Sequence, residues 1–116
     1  MADIFLYAAG GLTLAIAVAH GYLGAVHVVG PSQAPNPEAK RILHAIMFLS
    51  AVYWFVGGAI LIAAPHVLDG EVRTWVVYAI AAMLASGALG NLWGMRARHF
   101  GGYALLVVSA LAVTGA

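Results

Sequence analysis

The sequence predicts an all-α membrane protein, a bundle of four transmembrane helices forming a single domain over residues 1–116. Three observations carry this. Of 116 residues, 64% are apolar and 8% charged, against about 25% charged in ordinary soluble domains. Mean hydropathy is +0.97, and a soluble chain this small could not cover itself with so few charges. The apolar residues fall into four long runs separated by short breaks rich in glycine, proline or charge.

The first helix is expected over residues 4–29. Its amino end carries Asp3 and its apolar run is far longer than a signal-peptide core, so it reads as a retained helix. "GPSQAPNP", residues 30–37, breaks the run. Asn36, Pro37 and Glu38 read as an N-cap, a first-turn proline and a first-turn acid, opening a second helix over 37–64. "PHVLDGE", residues 65–71, is the next turn. A third helix covers 72–95, and a short fourth, expected over 99–116, follows a tight turn.

Lysine and arginine set the orientation. Lys40, Arg41, Arg96 and Arg98 flank one side and Arg73 the other, which predicts an integral membrane protein with both termini outside. The chain has no cysteine, so disulfides, thiolate metal sites and cysteine nucleophiles are excluded. Nothing basic runs together as nucleic-acid binding requires. No phosphate loop or zinc-protease motif is present, and no catalytic residue is identified.

Four of the five histidines gather on the cytoplasmic side: His20 and His27 late in helix one, His44 early in helix two, His99 opening helix four. Counted from their helix ends, His20 and His44 each lie roughly 12 Å deep, which predicts that they are level. Thr13, Ala17, His20, Gly24 and His27 form one small or polar stripe, so the histidines face the bundle. Ionisable groups at such depth point to function. His20 and His44 are therefore expected to ligate a b-type haem or a transition metal ion (iron, copper or zinc), with His99 and His27 as further metal ligands. Arg41 and Arg98 would pair with haem propionates, and Asn91 would hydrogen-bond a ligand histidine. His66 is expected in a solvated turn. Ser86, Gly90 and Gly94 on helix three form a small-xxx-small stripe that predicts close packing within the bundle or in a homo-oligomer.

"HGYLGA", residues 20–25, resembles the HSxLGE motif of an uncharacterised family of short bacterial four-helix membrane proteins. "ILHAIMF" and "RARHFGGY" are similar to that family's second-helix histidine and its RH pair, at His44, Arg98 and His99. The resemblance implies a bacterial inner-membrane location and that His20, His44 and His99 act as a set. Two positions depart: the family's serine is Gly21 and its glutamate is Ala25, a place that His27 would have to fill. Two other readings stand beside the cofactor protein. One is a non-catalytic accessory subunit of a larger respiratory or photosynthetic complex. The other is a small oligomeric transporter, disfavoured because all four acids lie at or beyond helix ends.

Overall fold

A computed structural model describes residues 2–116. Four helices run antiparallel in chain order: α1 (Ala2–Leu23, continued by a π-helical segment over Gly24–Val29), α2 (Pro37–Val67), α3 (Gly70–Gly94) and α4 (Phe100–Thr114). The bundle measures 49 × 25 × 19 Å. Three of the helices are long and apolar enough to cross a membrane, with mean hydropathies of 1.8, 2.1 and 1.5. α4 has 15 residues, about 22 Å of helix, and is shorter than the others.

Local chemistry explains the ends. The Asn36 side chain accepts a hydrogen bond from the Ala39 amide at 2.8 Å, with Pro37 following at a position where no amide is needed. α2 runs three residues beyond its expected end, and Pro65, expected in the following turn, lies inside the helix. Gly70 turns the chain into α3 at φ +53°, a conformation that costs glycine little. The α3–α4 turn uses two left-handed residues that are not glycine, Arg96 (φ 49°) and Ala97 (φ 57°). His99, expected inside α4, is its N-cap.

Packing joins two hairpins. α1 lies along α2, α3 along α4, and α1 also packs on α4, whereas α2 and α3 meet sparingly. The core is built from small residues: Ala9, Thr13 and Ala17 of α1, Gly57, Gly58 and Ala64 of α2, Ala81 and Ala88 of α3, Ser109 and Ala112 of α4, with Leu6, Leu61, Leu84 and Leu105 between them. Where α1 crosses α2, a Cβ on Gly58 would stand 2.9 Å from the Gly10 carbonyl oxygen, so only glycine permits that backbone approach. Ser109 closes the α3–α4 seam by donating to the Ala81 carbonyl at 2.8 Å. The C-terminus returns to the N-terminus: a Cβ on Gly115 would meet the Ala2 carbonyl at 2.9 Å. Arg73 binds the Asp3 carboxylate and, at 3.3 Å, the Gly115 carbonyl. Both termini thus lie at one end and the histidine-bearing half at the other.

Much of the outer surface is apolar. Val18, Tyr22, Phe48, Trp75, Leu89, Trp93 and Phe100 are all exposed, as hydrocarbon-facing residues are. The Ser86–Gly90–Gly94 stripe, expected to pack either within the bundle or in a homo-oligomer, lies on this surface. Nothing stands within 4 Å of a Cβ placed on Gly90 or Gly94. With Ala82 it forms an exposed ridge of small residues every fourth position, while the neighbouring Leu84 and Ala88 make the actual α3 contacts.

Candidate functional site at the histidine end

His20 is the polar centre of this half. Its Nε2 lies 3.1 Å from Ser50 Oγ, and Ser50 donates its own hydrogen to the Met47 carbonyl at 2.9 Å. The hydroxyl therefore accepts, and the neutral imidazole carries its proton on Nε2. Nδ1 keeps its lone pair. The ring also packs on Trp54, with centroids 4.3 Å apart and planes 47° apart. Trp54 is buried and reaches across to α3, where a Cβ on Gly87 would stand 2.7 Å from the indole. One aromatic side chain thus ties α1, α2 and α3 around His20. Tyr53, beside it, faces outward.

The other sequence-predicted residues do not converge on His20. Met47 packs on Gly24, which sets the α1–α2 register, and His44 lies three residues before Met47. His20 is level with Ser50, six residues beyond His44, so the two histidines differ in depth by about 9 Å. The equal-depth expectation fails because the first turn of α2 projects past the end of α1. Lys40, in that projecting part, reaches back to the Gly30 carbonyl at 2.9 Å.

His27 leaves the stripe for a different reason. The π segment repeats every five residues, as the Gly30 amide bond to the Ala25 carbonyl at 2.9 Å shows. The buried positions are Gly24 and Val29, five apart, and His27 is exposed. A heptad count assumes α geometry and misplaces it.

His99 accepts the Gly101 amide on Nδ1 at 3.1 Å, so its neutral ring carries the proton on Nε2. It lies within electrostatic range of His20. Asn91 donates to the carbonyl of Gly87 on its own helix at 2.8 Å and to no histidine. Arg41 pairs with Glu38 at 2.7 Å on an exposed face, and Arg98 is exposed. His66 is exposed yet partnered, 3.0 Å from the Tyr7 hydroxyl at the opposite end.

Among the described residues, no three of His, Asp or Glu come together as a group able to hold a metal ion. A haem held between His20 and His44 needs its two ligands on one level, and these are separated by more than a helical turn. Of the two rings, His20 keeps an acceptor, Nδ1, and His99 a donor, Nε2–H. Ligation of one ion by both rings needs two lone pairs, and only His20 Nδ1 keeps one. Trp54, Ser50 and Gly87 were not among the expected site residues. The signal that could have found them is Ser50 and Trp54 at i and i+4 on one face of α2.

The chain matches no protein-family model, no curated protein and no solved structure.

Proposed function

We propose that this is a small integral membrane protein without chemistry of its own, an accessory subunit that packs against another helix in a larger membrane assembly. The chain crosses the bacterial inner membrane four times. The lysine and arginine bias puts the histidine end in the cytoplasm and both termini outside. The observation that carries the subunit reading is the outward ridge of Ala82, Ser86, Gly90 and Gly94. Small residues at this spacing let two membrane helices approach closely, and here no helix of the same chain uses them. Three polar side chains inside the bundle are meanwhile engaged within it: His20 Nε2 with Ser50, Ser109 with the Ala81 carbonyl and Thr13 with the Ala9 carbonyl.

A photocrosslinking residue at Ser86 tests this in native membranes. A discrete adduct is expected, and it should disappear in Gly90→Leu, a change at an outward position where an added Cβ meets nothing within 4 Å. No adduct from this face would overturn the reading.

A second reading, a redox cofactor or metal bound at His20, draws on one observation: among the described residues its Nδ1 accepts no hydrogen bond. A visible spectrum before and after reduction, with elemental analysis, decides it. A Soret band or stoichiometric metal that is lost in His20→Ala would replace the subunit reading.

A further inference from the structure

We infer that the groove between α1 and α2 at the histidine end seats one acyl chain of an anionic phospholipid. The groove is open on its outer side and holds about 460 Å³. Ala17, Gly21 and Ala25 form its floor along α1, four residues apart, and His44, Phe48 and Phe55 form its wall along α2.

Its length fits a lipid tail. From His44 to Phe55 is eleven residues, about 16 Å of helix, close to half of the roughly 30 Å hydrocarbon core. The groove covers a single leaflet, from the surface to the midplane, as an acyl chain does.

Its polar end fits an anionic headgroup. His44 is the one histidine in the lining, and Lys40 and Arg41 stand one turn beyond it toward the surface. Glu38 is the one acid nearby, and it engages a single nitrogen of Arg41. The rest of the guanidinium, whose side chain is 75% exposed, is free to meet a phosphate. The net charge of the mouth is positive, and the cytoplasmic leaflet, where this end is proposed to lie, is the anionic one.

The inference rests on the membrane placement proposed above. The test is lipid retention by the detergent-purified full chain, read by native mass spectrometry after equilibration with equimolar phosphatidylglycerol and phosphatidylcholine of identical chains. The wild type should retain one phosphatidylglycerol in preference to phosphatidylcholine by about fivefold or more, as about 1 kcal/mol per basic group implies. Arg41→Gln with His44→Gln should keep one bound lipid and lose the preference. Val18→Trp, introduced at a lining residue that is 63% exposed, should lose the lipid altogether by filling the groove from outside. Equal retention of the two headgroups by the wild type, or unchanged retention in Val18→Trp, overturns the inference. Flotation with vesicles separates the two levels: a chain that fails to float refutes the membrane placement, whereas one that floats without headgroup preference refutes only the groove.

Discussion

At the scale of single residues, the molecule is held by hydrogen bonds and close approaches whose removal has a definite sign. Ser50 satisfies the Nε2–H of His20. Ser50→Ala leaves that donor unpaired inside the bundle and should cost about 1 kcal/mol in thermal unfolding measured in detergent. In a His20→Phe background, where the ring still packs on Trp54 but carries no donor, the same change should cost far less. An equal cost in both backgrounds would show that the pair is not coupled. The glycines divide just as sharply. Gly58→Ala drives a methyl to 2.9 Å from the Gly10 carbonyl and should destabilise the α1–α2 hairpin by about 1–3 kcal/mol. Gly11→Ala, which meets nothing within 4 Å, should raise helix stability by about 0.5–1 kcal/mol. A denaturation series on these two variants separates the α1–α2 crossing point, probed from α2, from the outward side of α1.

At the scale of elements, strain concentrates in the α3–α4 turn. Arg96 and Ala97 both adopt left-handed geometry, and the Ala97 amide bonds back to the Leu92 carbonyl at 2.6 Å, closing the end of α3. Ala97→Gly keeps that bond and removes the steric cost, so it should stabilise the protein by about 1 kcal/mol. A lower midpoint in Ala97→Gly would show that the turn is not strained as described. The elements also show what could be read from sequence. The four helices and the Asn36 cap were legible because breaks, caps and hydropathy are local signals. The register of α1 on α2 was not. Counting inward from helix ends makes His20 and His44 equal in depth, but depth depends on how far α2 overhangs α1, which the Gly24–Met47 contact fixes. The π segment was equally hidden: nothing in "GAVHVV" departs from an α-helical pattern, yet one wider turn takes His27 off the histidine face. The ridge on α3 was visible as small residues, but their spacing does not say whether the partner is inside the chain or outside it. Of the expected site, His20 keeps an interior, polar setting, whereas its partners Ser50 and Trp54 are ordinary core residue types until the fold brings them to an imidazole.

At the scale of the whole molecule, charge and topology bear on one another. Arg73, the one lysine or arginine among the described residues at the end shared by the termini, is engaged with Asp3 and the Gly115 carbonyl. The four remaining basic residues lie at the histidine end. Membrane insertion retains short loops rich in lysine and arginine in the cytoplasm, so the overhanging start of α2 and the α3–α4 turn should both stay inside. The absence of cysteine makes this directly measurable, because each introduced thiol is the sole target of a maleimide. Gln33→Cys in the α1–α2 loop and Asp69→Cys in the α2–α3 turn are exposed and belong to opposite ends. In intact cells a membrane-impermeant maleimide should label Asp69→Cys once the outer membrane is permeabilised. Gln33→Cys should label only after the inner membrane is opened. The reverse pattern would invert the molecule and move the lipid groove to the outer leaflet. Labelling of both in intact cells would mean that the charge bias does not fix one orientation. A third thiol, Thr114→Cys, tests the short last helix: because Gly115 packs beside Ala2, it should label from the same side as Asp69→Cys, and labelling from the cytoplasm instead would mean that α4 does not cross.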